Sequence, residues 1–226
     1  VKPAYFILAA ALLRADSLDD VLQRMDQAAQ KFRSVSANVH QTIYTDVLSD
    51  TETVDGKFRM IKDGKDKFVL LAEFAGKDPH TFHLSGHEAE MYYPKANTVQ
   101  IYDTKKLTKS VDQYLFVGFG TRTAELKSTY NVSLGGPETL DGVKTTRIDL
   151  TPKSAEAVKL FNKIQLWIPD GKGNPIQEKL IPDKAGKDFK LFQYKDEVIL
   201  TLSDPRPPDS DFKLNLPAGV SRQIMK

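Results

Sequence analysis

The spacing of polar and apolar positions first changes period near residue 33. Before that point Leu18, Val21, Leu22, Met25, Ala28, Ala29 and Phe32 recur at helical spacing. Ser17 stands where a side-chain oxygen can cap the helix, and Asp19 and Asp20 occupy the first turn, where the helix dipole favours acids. The spacing predicts an amphipathic helix covering one side of a core. From Val35 the period is two: Val35, Ala37, Val39 and Ile43 alternate with Ser36, Asn38, His40, Thr42 and Tyr44. Val54, Gly56, Phe58 and Met60 alternate in the same way, and Asp63-Gly64-Lys65 turns the chain into Phe68–Phe74, which is apolar on both faces. Short strands follow at Thr81–Leu84, Ala89–Tyr93 and Thr98–Tyr102, separated by turn residues.

The stretch from Val111 to Tyr130 breaks the alternation. Tyr114, Leu115, Phe116, Val117 and Phe119 crowd beside Gly118 and Gly120, and Thr123–Tyr130 has the composition of a short helix, so this stretch is predicted to be a helical lid. Strand pattern resumes at Val132 and continues to Leu202, interrupted by a second short helix at Ser154–Phe161. About ten or eleven strands are predicted, with no polar linker to divide them. The expected fold is mainly β (α+β): one strongly curved antiparallel sheet forming an unclosed β-barrel, with a helical lid over its concave side, spanning residues 16–226 as one domain.

The first fifteen residues bear on compartment. Lys2 precedes an unbroken apolar run from Ala4 to Leu13, followed by Arg14, Ala15 and Asp16. Ten residues are too few to cross a bilayer that needs ~20. A basic flank, a short apolar stretch and a small residue match a secretory signal segment, and a retained, buried N-terminal helix is the alternative. Export to the periplasm is therefore expected. The rest of the composition excludes more than it assigns. Lys plus Arg number 32 and Asp plus Glu 30, a net charge of +2, so no global field favours nucleic acid. There is no cysteine, which removes disulfides, thiol catalysis and a lipid anchor on cysteine.

Candidate chemistry is sparse. Three of the four histidines cluster at His80, His83 and His87, but a metal needs ligands converging on one point, and His80 and His83 would face opposite sides of a strand. No Gly-x-Ser-x-Gly elbow is present, and Ser85 and His87 have no identifiable orienting acid. Glu88 and Glu90 share a strand face, which glycosidase chemistry could use, although beside Met91-Tyr92-Tyr93 they read better as a solvated face. Neither enzyme activity nor a cofactor is expected. The specific physical proposal is an apolar cavity: a many-stranded sheet curls, and short helices over its concave face leave a gap that can hold acyl chains.

The order of elements resembles the LolA family of periplasmic lipoprotein carriers and its relatives LolB and LppX. The resemblance rests on the helix Leu18–Phe32, the strand Ser36-Ala37-Asn38-Val39-His40-Gln41-Thr42, and Gly56-Lys57-Phe58-Arg59-Met60 ahead of Phe68-Val69-Leu70. It continues through Met91-Tyr92-Tyr93-Pro94 and Val99-Gln100-Ile101-Tyr102-Asp103, and ends on Phe212-Lys213-Leu214-Asn215-Leu216-Pro217-Ala218-Gly219-Val220. The resemblance implies a monomeric carrier that shields acyl chains of lipoproteins, or of another lipid, between an inner-membrane release complex and an outer-membrane acceptor. LolA proper carries a Lys-Arg-Pro-x-x-Phe-Arg stretch after its second strand; here Ile61-Lys62-Asp63-Gly64-Lys65-Asp66-Lys67-Phe68-Val69 lacks that arginine and proline. The expected cavity lining is Val39, Phe58, Met60, Leu70, Phe74, Met91 and Ile101 from the strands, with Leu115, Phe116 and Phe119 from the lid. An envelope sensor or protein-interaction module built on the same half-barrel is the alternative.

Overall fold

A computed structural model describes residues 16–64, 67–103, 117–182 and 185–225. The signal-like segment and the lid residues Leu115 and Phe116 lie outside this set. The chain order is α1 (Leu18–Lys31), β1 (Phe32–Thr45), β2 (Asp50–Lys62), β3 (Phe68–Phe74), β4 (His80–Ser85), β5 (Glu88–Tyr93), β6 (Thr98–Asp103), α2 (Thr123–Thr129), β7 (Tyr130–Leu140), β8 (Val143–Pro152), α3 (Ala155–Leu160), β9 (Lys163–Pro169), β10 (Gln177–Ile181), β11 (Phe189–Thr201) and β12 (Ser221–Met225).

The twelve strands of the described residues form one sheet in the order β12-β6-β5-β4-β3-β2-β1-β11-β10-β9-β8-β7. Its ends, β12 and β7, do not pair, so the barrel is unclosed, as the strand pattern predicted. The central strand β1 joins two antiparallel meanders by pairing with β2 on one side and β11 on the other. A register shift between Ser36 and Asn38 marks a bulge against β11, where Asp196 takes a left-handed conformation with φ 53°.

Helix α1 covers one half of the inner face. It begins as the sequence predicted: Asp20 N donates to Ser17 Oγ at 3.2 Å and Ser17 N donates back to Asp20 Oδ2 at 3.1 Å. Val21, Leu22 and Met25 pack with Ile148, Leu150, Ile164, Leu166 and Ile168 from β8 and β9. The segment 117–120 and α2 continue this layer. Thr123 N donates to Asp26 Oδ1 at 2.6 Å, and Thr123 Oγ1 donates to the Leu22 carbonyl at 3.0 Å, which fixes α2 to α1.

The helix is held from beneath by the turn after β9. Arg24 Nε donates to the Lys172 carbonyl at 3.0 Å, and Gly173 approaches so closely that a Cβ there would stand 2.2 Å from the Arg24 carbonyl oxygen and 2.8 Å from Ala28 Cβ. Backbone and a helical alanine give little way. Gly173→Ala is therefore expected to destabilise the protein by about 3 kcal/mol through overpacking, read as a lowered urea midpoint; a loss under about 0.5 kcal/mol would contradict this contact.

The twelfth strand is a departure from the sequence reading, which ended its strands at Leu202. After β11 the chain crosses the outer face of the first meander. The turn Asp209–Phe212 packs against β2 and β3, and Phe212 is buried. The segment then ends as β12, which runs parallel to β6 in a sheet that is otherwise antiparallel. This cover explains why Phe68–Phe74 is apolar on both sides: Leu70, Ala72 and Phe74 face the inner core, while Leu71 is buried on the outer face. It also corrects the reading of Glu90 as solvated. Glu90 is buried, accepts from His83 Nδ1 at 2.9 Å and lies 3.9 Å from Arg222 of β12. Among the described residues no helix is long and apolar enough to cross a membrane.

Candidate functional site

The registers fix which side chains share the inner face. Val35, Ala37, Val39 and Gln41 of β1 stand opposite Met60, Phe58, Gly56 and Val54 of β2. These in turn lead to Leu70, Ala72 and Phe74 on β3, to Leu84, Phe82 and His80 on β4, to Ala89 and Met91 on β5, and to Tyr102 and Gln100 on β6. Of the predicted lining, Val39, Phe58, Met60, Leu70, Phe74 and Phe119 come together in one buried cluster. Met91 shares their face and is half-buried. Ile101 does not: it pairs with Glu90 on one side and Ile224 on the other, one position out of phase with Met91 and Gln100, and so belongs to the outer face.

The middle of the inner face is filled by aromatic rings. Phe58, Phe119 and Tyr194 meet pairwise with centroids 5.7, 5.5 and 5.1 Å apart, the last pair edge-on. Phe119 reaches this position because the chain turns sharply after it at Gly120 (φ +65°), where a Cβ would lie 2.6 Å from the Phe32 ring. Farther toward β6, apolar groups are incompletely covered. Phe68, Phe82, Met91 and Tyr102 are half-buried and form an apolar strip along β3–β6. His80 closes one end of it, stacked on Phe74 with centroids 4.9 Å apart. The inner face is thus sealed on the α1 half and plugged at the centre, and along the strip its apolar groups are only half covered among the described residues.

Two openings of about 200 Å³ each flank the β1–β11 bulge. One is lined by Leu140, Val143, Pro169, Ile176 and Tyr194 with charged groups at its rim, the other by Ala37, Phe58, Asn38, Lys57 and Arg59. Neither by itself has the size of a drug-like ligand site, ~300–1,000 Å³.

Polar groups on the inner face were not singled out in the sequence. Glu178 of β10 is 1% exposed and accepts from the Tyr194 hydroxyl at 3.2 Å. Burial pushes its carboxyl up to about 8, against a smaller opposing effect of that hydrogen bond, so it is neutral at pH 7. Tyr194 is pushed up as well, by burial first and then by its proximity to Glu178. Gln41, 5% exposed, shares the face. The signal was present: Ile176, Glu178 and Leu180 alternate, so an acid stands at an inward position between two aliphatics. His80 and His83 point to opposite faces, and among the described residues no group of three or more His, Asp or Glu could hold a metal.

Comparison with known proteins supports this architecture. No family model matches the sequence, and no curated protein matches it. Solved structures do. An uncharacterized conserved protein from Thermus thermophilus aligns over 93% of this chain and 100% of its own at 11% identity, with a TM-score of 0.54. MucB aligns over 87% of this chain and 62% of its own at 12% identity, with a TM-score of 0.51. A LolA superfamily protein from Nitrosomonas europaea aligns over 88% of this chain and 99% of its own at 14% identity, with a TM-score of 0.40. At such identities a likeness establishes fold: this chain has the unclosed half-barrel that it shares with MucB and the Thermus thermophilus protein, and LolA-superfamily structures stand among its neighbours.

Proposed function

We propose that the protein binds acyl chains of a lipid or lipoprotein on the inner face of the half-barrel and carries them through the periplasm. The supporting observation is the incompletely covered strip of Phe68, Phe82, Met91 and Tyr102 beside a fully buried aromatic floor. Such a surface gains by burying methylenes, each contributing about 0.8 kcal/mol, and needs no charged partner. The near-zero net charge suits this mode, since apolar burial rather than a global field would hold the cargo. No bond is made or broken.

The test is displacement of a fluorescent fatty acid, together with native mass spectrometry for co-purified lipid. Phe82→Glu places a carboxylate in the middle of the strip and removes a large apolar contact. A loss of roughly 1.5–3 kcal/mol corresponds to about a tenfold to hundredfold weaker affinity. Val47→Glu, at an exposed position outside the strip and outside both openings, serves as the control and should bind like the unmodified protein. If the unmodified protein binds no acyl probe, the carrier reading fails. The interaction-module reading would then take its place; it draws on the aromatic plug that fills the middle of the inner face and on the exposed edge strand β12.

A further inference from the structure

Two buried polar atoms on the inner face have no partner among the described residues: Oε1 of Gln41 and Oε1 of Glu178. They are not scattered. Gln41 on β1 and Glu178 on β10 both stand opposite Phe192 of the intervening β11, in one cross-strand row. Two strand spacings put their backbones about 10 Å apart. Leaving a buried polar atom unpaired costs about 1–3 kcal/mol, and folded proteins rarely leave one so. Two such atoms bracketing one aromatic ring, on the face that the proposed cargo would occupy, require an explanation.

The hydrogen bonding already present defines what each atom offers. The Tyr194 hydroxyl donates to Glu178 Oε2, so that oxygen serves as an acceptor. Because burial keeps the carboxyl neutral at pH 7, its proton is available on Oε1, which becomes a donor. Gln41 Oε1 is an acceptor. The row therefore presents one donor and one acceptor across Phe192, inside a wall of Val39, Val54 and Leu166. Among the described residues of this row a carboxylate head group would find no cation, and an ammonium would find a neutral acid. A neutral carboxamide satisfies both atoms: its carbonyl accepts from Glu178 and its N–H donates to Gln41.

We infer that Gln41 and Glu178 form the polar end of the acyl site and recognise a neutral head group carrying one acceptor and one donor, the chemistry of an N-acyl amide. This inference rests on the acyl-binding reading above. Its test compares decanamide with methyl decanoate, which has the same chain and no donor, by displacement of a fluorescent acyl probe at pH 6.5; decanol adds a hydroxyl of the same donor-acceptor character. The unmodified protein should bind decanamide at least tenfold more tightly than the ester. In Gln41→Leu and in Glu178→Met that ratio should fall to about one, while Glu88→Gln, on an exposed outer position, should keep it. Circular dichroism establishes that each variant is folded, and either of the two inner-face variants suffices. Decanol binding like the amide extends the site to hydroxyl head groups, and decanol binding like the ester restricts it to amides. Equal binding of amide and ester by the unmodified protein overturns the inference and leaves the carrier reading standing, the two atoms then holding a trapped water. Binding of none of these ligands overturns both.

Discussion

Phe58→Ala is expected to destabilise the protein by about 3–5 kcal/mol, the range for truncating a buried phenylalanine. Phe58 is wholly buried at the centre of the inner face, with centroids 5.7 Å from the Phe119 ring and 5.5 Å from Tyr194. Removing the ring forfeits its transfer free energy and two aromatic contacts. The void cannot collapse easily, because its walls belong to three elements of different origin: β2, the segment 117–120 ahead of α2, and β11. Against a total stability of ~5–15 kcal/mol, this is a large share. Urea denaturation would show the loss as a shifted midpoint with an unchanged slope. A loss below about 1 kcal/mol would mean that the three rings do not form one packed unit. The contrast with Phe82 is informative. That side chain is half-buried in the strip, so its replacement should weaken ligand binding far more than it weakens the fold.

Glu178→Gln is expected to abolish most of the dependence of stability on pH between about 4.5 and 8. In the unfolded chain a glutamate titrates near its ordinary 4.5; in the folded protein burial raises Glu178 to about 8. The native state therefore holds the proton more tightly than the unfolded state does. Below about pH 4.5 both states are protonated and nothing is lost. As pH rises from there to about 8, the unfolded chain releases its proton while the native one retains it, and stability falls throughout the interval. Above about 8 both are ionised and the decline levels off. At ~1.4 kcal/mol per tenfold change in proton affinity, the full loss is on the order of 5 kcal/mol. Glutamine keeps the shape and an oxygen for Tyr194 but cannot ionise. Urea midpoints at pH 5, 7 and 9 should fall for the unmodified protein and stay nearly level for the variant. Parallel declines in both would show that another group sets the dependence.

Much of the architecture was legible in the residues. Ser17, Asp19 and Asp20 placed the start of α1, and its apolar positions are the ones that reach the core. Alternation located the strands, and the turn residues at Asp63-Gly64 located the hairpin of β2 and β3. Alternation also sorted most of the inner face, because a period of two in a half-covered strand leaves little choice of which side turns inward. Ile101 shows where this stops. Val99 and Ile101 on one face and Tyr102 on the other give both faces of β6 apolar groups, and only the pairing with β5 sets the phase. The outer cover by residues 202–225 was hidden for a related reason. Its proline-rich start reads as a tail, and β12 is five exposed residues held by backbone pairing to β6.

The functional face divides along the same line. Local periodicity was enough to determine that this chain makes a curved sheet with one apolar face and a capped helix to cover part of it, since both depend on neighbours in sequence. The rest depends on which distant segments meet. The centre of the inner face is plugged because Phe58, Phe119 and Tyr194, far apart in sequence, converge there. Glu178 is neutral because β9, β10 and β11 enclose it, and not because of any residue beside it in the chain. A carboxyl's proton affinity and the fit of an aromatic ring are properties of surroundings, and surroundings exist only once the sheet has closed around them.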